Sequence, residues 1–153
     1  MTENTFVPDI EEADHMEDMY LNFSVGNEIY GIEIRFVLQI IGMQDITEMP
    51  EMQPYMKGFI NLRGNVIPVF SMRQRFGKLE EEYSDRTCII VVRVGEKEIG
   101  LIVDAIQETL TIEPENISPQ PNLGLGGENP YVKGIAKLSN NRTAVLLHAS
   151  KLF

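Results

Sequence analysis

Apolar and polar residues alternate with a period of two at the start of the structured part of the chain. The run 19–25 places Met, Leu, Phe and Val on one side and Tyr, Asn and Ser on the other, which is typical of a strand with one buried face. Gly26-Asn27 supplies a two-residue turn, and Tyr30, Ile32 and Ile34 would line one face of a return strand. The pattern predicts a β-hairpin over about 19–34.

A second hairpin is predicted over 58–69, where two apolar runs flank the loop Arg63-Gly64. Gly64 supplies the positive φ that such a tight turn requires. Pro68 has no N–H to donate, so it should lie on an edge strand or at a bulge.

Both hairpins recur later in the chain. The first recurs at an offset of 69 residues, where Val94-Gly95 and Gly100 repeat Val25-Gly26 and Gly31. The second recurs at an offset of 76, where Lys133-Gly134 and Leu138 repeat Lys57-Gly58 and Leu62. A turn at Asn140-Asn141 corresponds to the turn at Arg63-Gly64. We interpret this as an internal duplication; the alternative is chance similarity between hairpins.

Few segments favour a helix. Ser71 is a good N-cap for a helical turn over 72–76, with Gly77 just beyond its end. The proline- and glycine-rich stretch 113–127 indicates a connecting loop. Many short strands and few helices predict an all-β protein built from small barrels.

The net charge of −10 over 153 residues is unevenly distributed. Residues 1–18 contain seven acidic residues and no Lys or Arg, and the rest of the chain carries 16 acids against 13 bases. We expect 1–18 to be a disordered acidic tail, and an acidic chain of this kind argues against binding to nucleic acid. The sequence also shows no apolar run long enough to cross a bilayer and no signal peptide, so we expect a cytoplasmic protein without direct membrane insertion.

The residue types needed for catalysis or metal binding do not form a recognisable pattern. The two histidines, His15 and His148, are far apart in sequence, and Cys88 is the single cysteine, inside an apolar run that predicts a buried strand. No zinc-ligand spacing or phosphate loop occurs. We therefore expect no enzyme activity, no cofactor and no metal site.

Four ordered motifs carry a family resemblance: Tyr30-Gly31-Ile32-x-Ile34-x-x-Val37, Asn61-Leu62-Arg63-Gly64-x-Val66-Ile67-Pro68-Val69, Gly100-Leu101-Ile102-Val103-Asp104-x-Ile106 and Tyr131-Val132-Lys133-Gly134. In wording and order they resemble the CheW chemotaxis coupling proteins. The resemblance implies one CheW-like domain over 19–153, folded as two intertwined SH3-like five-stranded β-barrel subdomains with short helical turns.

The resemblance also implies a function. Proteins of this family are non-catalytic adaptors that couple chemoreceptors to the histidine kinase CheA in a signalling array, so the protein would lie at the membrane-associated array through its partners. Two alternatives stay open. One is a CheW-like paralogue serving another kinase pathway, such as surface motility. The other is a small-molecule sensor using the crevice between the barrels.

The expected partner contacts follow from the same resemblance. Leu21, Ile34 and Val37 are expected to form an apolar patch for the regulatory domain of the kinase, unless they are ordinary core residues. The cytoplasmic hairpin tip of the receptor is expected in the groove between the barrels; its contact residues would be Gln39, Ile40, Gly58, Asn61 and Arg63.

Three positions depart from the family pattern. Ser71 and His148 stand where Asp is usual, and Gln39 stands where Glu is common. Ser caps a helix about as well as Asp, whereas His is a poorer cap, so the last turn of the chain is the weaker prediction. Gln39 removes a charge from a region that the family uses for partners.

Overall fold

The described residues form eleven strands and one short α-helix. The computed structural model describes residues 16–120 and 129–153. In chain order the elements are β1 (Met19–Val25), β2 (Glu28–Glu33), β3 (Val37–Gly42), β4 (Met56–Leu62), β5 (Asn65–Ser71), α1 (Met72–Arg75), β6 (Cys88–Val94), β7 (Lys97–Val103), β8 (Ala105–Thr111), β9 (Ile117–Ser118), β10 (Val132–Lys137) and β11 (Thr143–Leu147). Short 3-10 turns occupy Met16–Asp18, Ile34–Phe36, Pro114–Asn116, Ser139–Asn141 and Ala149–Lys151.

The strands form two sheets, in the orders β8-β1-β2-β11-β10-β9 and β3-β6-β7-β5-β4. The prediction of a mainly β protein is confirmed, but in the described residues the sheets are open, and the first has six strands where the barrel prediction has five. An isolated bridge between Thr47 and Phe59 brings the chain that follows β3 onto β4, at the opposite edge of the second sheet.

Each sheet exchanges strands between the two halves of the chain. The hairpin β1–β2 pairs with β8 and β11 from the second half, and the hairpin β6–β7 pairs with β3 and β5 from the first half. β5 joins β7, and β11 joins β2, in parallel register, whereas the neighbouring pairs are antiparallel. β1 and β6 begin 69 residues apart, and β4 and β10 begin 76 residues apart, which are the spacings at which the sequence motifs recur.

Pro68 lies where β5 is paired with a neighbouring strand on one side only. β5 pairs with β4 along its length, but its pairing with β7 begins only at Val69. β5 is therefore not an edge strand of the sheet, although Pro68 lies where one side of the strand is unpaired.

Three apolar clusters build the core of the described chain. The largest lies between the sheets and receives one face of β1 and one face of β6, for example Phe23 and Ile90. The other faces of the same strands belong to separate clusters, represented by Tyr20 in the first sheet and Ile89 in the second. The central strands are thus covered on both sides, which accounts for the continuous apolar run of β6.

The predicted helical turn begins and ends close to the expected positions. The Ser71 hydroxyl accepts a hydrogen bond from the Gln74 N–H at 3.2 Å, and Gly77 has a φ of +74° just beyond the helix. At the C-terminus His148 makes no side-chain cap, as its type suggests. The carbonyls there are instead bound by Arg75, which donates to Leu152 O and Lys151 O at 3.0 Å each.

The predicted boundary of the acidic tail needs one correction. Residues 16–18 form a 3-10 turn, and Asp18 O accepts a hydrogen bond from the Ile112 N–H at 2.7 Å, so this end of the segment is ordered against the strand region. The prediction for 1–15 lies outside the described residues, as does that for 121–127 of the proline- and glycine-rich loop. None of the described helices is long and apolar enough to span a membrane.

An ion pair between the end of β2 and β10 predicts how stability depends on pH. Lys133 Nζ donates to Glu33 Oε1 at 2.8 Å, and burial alone would raise the pKa of the Glu33 carboxyl, but Lys133 and then Arg35 outweigh it and lower the pKa below 4.5. A carboxyl with a lowered folded-state pKa stabilises the fold above its unfolded pKa, and this contribution is lost as pH falls through the folded pKa. We expect the free energy of unfolding to decrease as the pH is lowered below about 4.5. In urea titrations at a series of pH values, Glu33→Gln should make this decrease shallower. If the variant lost as much stability at low pH as the wild type, this role of Glu33 would be contradicted.

Candidate protein-docking site

A crevice of about 480 Å³ opens between the two sheets. One wall is the end of β3 in the second sheet, with Ile40, and Met43 just beyond the strand; the first sheet contributes Ile106 of β8. The loop before β6, residues 83–87, forms the remaining wall. The crevice therefore combines an apolar floor with a polar loop at its rim, as a protein-docking groove does.

Hydrogen bonds within the loop fix the turn Ser84–Thr87. The Ser84 N–H donates to Thr87 Oγ1 at 2.9 Å, and the Arg86 N–H donates to Ser84 Oγ at 3.1 Å. Side-chain to backbone bonds of this kind hold a turn in one conformation. The rim is thus pre-organised before any partner binds.

The two predicted contact residues on β3 face different directions. Ile40 pairs with Ile90, packs against the cluster between the sheets and lines the crevice. Gln39 pairs with Val91, whose side chain belongs to the cluster of the second sheet, so Gln39 lies on the opposite face of β3. The structure places Ile40, but not Gln39, in the crevice wall.

Asn61 and Arg63 lie at the tip of the hairpin β4–β5, and both side chains are exposed. Arg63 and Gly64 have φ values of +54° and +86°, so both central residues are at positive φ, as in a type I′ turn. Asn61 Oδ1 accepts a hydrogen bond from the Gly64 N–H at 3.0 Å and supports this turn. Arg63 is thus held in a backbone conformation that favours Asn or Gly over a long side chain.

Gly58 has a structural reason for lacking a side chain. Its φ is +141°, and a Cβ there would lie 2.2 Å from Thr47 O and 2.8 Å from Ile46 Cγ2. A similar close approach, without positive φ, recurs in the first sheet, where a Cβ on Gly134 would lie 2.6 Å from Ile117 Cγ2 and 2.8 Å from Ser118 O. Gly58 is buried and lies at a bulge of β4, so the close approach that its bare backbone permits is to the protein's own chain.

The predicted kinase-docking patch is not exposed. Leu21, Ile34 and Val37 are 2%, 1% and 6% exposed and belong to the cluster between the sheets. The alternating pattern of β1 suggests one solvent-facing side, but the second sheet covers one face of the strand and the first sheet's own core covers the other. These side chains are therefore core residues, and their contact with a kinase stays a prediction that the buried positions do not favour.

Of the crevice lining, the sequence prediction included only Ile40. It missed the loop 83–87, Ile106 and the neighbours Ile41, Gly42, Met43 and Cys88. The loop, Tyr-Ser-Asp-Arg-Thr, has the composition of an ordinary connection before an apolar strand. Ile106 faces the crevice only because β8 joins the sheet of the other half of the chain. No group of three or more His, Cys, Asp or Glu residues in the described ranges is arranged to hold a metal ion.

Comparisons with known proteins agree with this architecture. The family described as "CheW-like domain" matches residues 19–153. The chain is 32% identical over 133 residues to "Chemotaxis protein CheW" of Klebsiella aerogenes, a match that covers 87% of this chain and 80% of that protein. It is 28% identical over 137 residues to "Protein FrzA" of Myxococcus xanthus, covering 89% and 85% of the two chains.

A solved structure gives the same result. The scaffolding protein TtCheW from Thermoanaerobacter tengcongensis superposes with a TM-score of 0.80 at 33% identity, covering 89% of this chain and 92% of the other. Both the sequence match, which spans the whole region from β1 to the last residue, and the shared fold confirm the resemblance carried by the four motifs. The chain belongs to the CheW-like domain family.

Proposed function

We propose that the protein is a non-catalytic adaptor that couples chemoreceptors to the histidine kinase CheA. The observation that carries this proposal is the apolar crevice between the sheets, found on a chain that belongs to the CheW-like domain family. An adaptor needs surfaces for two partners at once, and a fold of two interlocked sheets offers separate surfaces at fixed relative positions. In this proposal the protein lies in the cytoplasm and reaches the membrane-associated array through its partners.

The receptor's hairpin tip is assigned to the crevice, with the exposed tip of β4–β5 as a second contact surface. Ile40 supplies an apolar contact on the crevice floor. Asn61 and Arg63 form a second, exposed group at the hairpin tip. Gln39 lies on the other face of β3, and Gly58 acts by letting the chain around Thr47 close over β4.

The regulatory domain of the kinase is assigned to a separate surface. Leu21, Ile34 and Val37 support the strands and the turn beneath such a surface from the inside, since their side chains are buried. Titration calorimetry with a receptor cytoplasmic fragment and with the isolated regulatory domain tests the proposal. Two independent binding events support an adaptor, whereas binding to neither partner would overturn it.

Arg63 is expected to matter for coupling more than for folding. Its side chain is exposed at the tip of β4–β5, and its guanidinium can hold carboxylate or carbonyl groups bidentately, which Lys cannot. Arg63→Ala should fold normally yet fail to couple receptor state to kinase activity, and Arg63→Lys should restore coupling only partly. The measurement is reconstituted kinase activity with receptor and adaptor, titrated to saturation.

Arg63→Asn is the matched control for the backbone. Asn tolerates positive φ better than Arg, so this variant should be at least as stable as the wild type while still losing coupling. Full kinase activation by Arg63→Ala at saturation would show that the side chain is only a solvated turn residue.

A CheW-like paralogue that serves another kinase pathway is the second candidate. The specific observation in its favour is the match to the FrzA protein of Myxococcus xanthus over 89% of this chain. A pull-down from native lysate, followed by identification of the co-purifying kinase, separates the two. A chemotaxis kinase supports the first function, and a kinase of another pathway supports the second.

A further inference from the structure

The rim of the crevice carries one acidic and one basic residue. Among the lining residues, Asp85 and Arg86 are the only charged ones, and both lie in the turn Ser84–Thr87. The rest of the lining consists of apolar residues, one glycine, hydroxyl side chains and the phenol of Tyr83. Within the described residues, Arg86 is therefore the one cation that lines the crevice, on a protein whose net charge is −10.

Arg86 differs from the other arginines in what its side chain does. The other six each take part in an ion pair, hydrogen bond or ring contact; they are Arg35, Arg63, Arg73, Arg75, Arg93 and Arg142. Arg73, for example, binds both carboxylate oxygens of Asp104, at 2.9 and 2.6 Å. The Arg86 guanidinium has no such partner within residues 16–120 and 129–153, although Asp85 is its neighbour in sequence.

The backbone around Arg86 is nonetheless fixed. Its own N–H is bound by the Ser84 hydroxyl, and Thr87 closes the turn from the other side. A cation on a rigid turn, beside the apolar floor of Ile40 and Ile106, loses little entropy when it engages a partner. An exposed arginine of this kind is suited to bidentate recognition of a carboxylate.

We propose that Arg86 is a specificity-determining contact of the crevice and binds a carboxylate on the receptor's hairpin tip. The proposal rests on the function proposed above, which places that tip in the crevice. The occupant would be a helical segment whose apolar face covers Ile40, Met43 and Ile106 and whose acidic side chain reaches the rim. Complementary charge at a rim selects partners and speeds association.

Calorimetric titration of a receptor cytoplasmic hairpin fragment tests the assignment. Arg86→Gln should weaken binding about tenfold or more, because a hydrogen-bonded charged pair is lost. Arg86→Lys should recover only part of the affinity, and the loss should shrink at high salt. The melting temperature should not change, since the Arg86 side chain stabilises no other described part of the fold.

Arg93→Gln is the matched control. Arg93 is another exposed arginine, but it lies on β6, pairs with Glu98 and does not line the crevice. It should leave the affinity for the fragment and for the kinase regulatory domain unchanged. An equal loss in both variants would mean a non-specific charge effect and would overturn the assignment.

Two further outcomes separate this inference from the function on which it rests. If the wild type binds the fragment and Arg86→Gln binds it equally well, the role of Arg86 is wrong while the crevice placement stands. If the wild type does not bind the fragment at all, the receptor placement fails and the role of Arg86 fails with it.

Discussion

Gly58→Ala is expected to destabilise the protein by roughly 3–5 kcal/mol, combining backbone strain at positive φ with overpacking against a fixed backbone. The new Cβ would lie 2.2 Å from Thr47 O, and that carbonyl cannot move freely because it accepts the Phe59 N–H at 2.9 Å. Urea denaturation followed by circular dichroism measures the loss. A variant with a larger residue at this position, such as Gly58→Asp, should not fold.

Two other glycines calibrate this result. Gly64→Ala also places a side chain at positive φ, +86°, but nothing lies within 4 Å, so we expect a cost of only about 1–2 kcal/mol. Gly134→Ala brings a close contact without positive φ and should cost about 1–3 kcal/mol. If Gly58→Ala were as stable as the wild type, the packing account of Gly58 would fail and a direct partner contact would regain support.

Ile34→Asp is expected to unfold the chain. Ile34 is 1% exposed in the cluster between the sheets, and truncation to Ala alone should cost about 2–5 kcal/mol. A carboxyl group there adds the cost of burying an unpartnered polar or charged group, and the two costs together are comparable to the whole stability of a small domain. Thermal unfolding and the dispersion of amide resonances measure the outcome.

Val66→Asp is the control for an added charge. Val66 is 64% exposed on the outer side of β5, so the same substitution should change the free energy of unfolding by less than about 0.5 kcal/mol. A folded Ile34→Asp protein that has lost only kinase binding would contradict the core assignment and restore Ile34 to the kinase-docking patch.

Local elements were predictable from the sequence because short-range chemistry sets them. The tight turn at Arg63-Gly64 needs positive φ at both residues, and the glycine at position 64 is the sequence signal that predicts it. The Ser71 cap of α1 and the glycine after it likewise depend only on neighbours a few residues away. The hairpin at Gly26-Asn27 follows from alternation and turn type alone.

Burial on both faces could not be read from the alternation. β1 has a polar residue, Asn22, on the side that the pattern assigns to solvent, yet Asn22 is 1% exposed. That side faces the apolar cluster that contains Tyr20 and Leu146. The cluster forms because β8, β10 and β11, from the second half of the chain, join the first sheet. Period-two alternation shows that the two faces of a strand differ in polarity. It does not show that either face is exposed to solvent.

The candidate site was predictable only in part for the same reason. Ile40 is in the crevice, but the other wall consists of a polar loop and of Ile106, which reach it through strand exchange between the two halves. Arg86 carries no local signal, since an arginine in a loop is ordinary. Its distinction is the lack of a partner within the described chain, and only the three-dimensional arrangement reveals this.

Co-sedimentation of the kinase with receptor-containing vesicles tests the adaptor function most directly. Kinase, receptor vesicles and increasing amounts of this protein are mixed, and the pelleted kinase is quantified together with its autophosphorylation rate. The adaptor account predicts that both rise with the protein and saturate, and that Arg63→Ala recruits the kinase without activating it. Recruitment and activity that do not depend on the protein, with the wild type folded and in excess, would contradict the account.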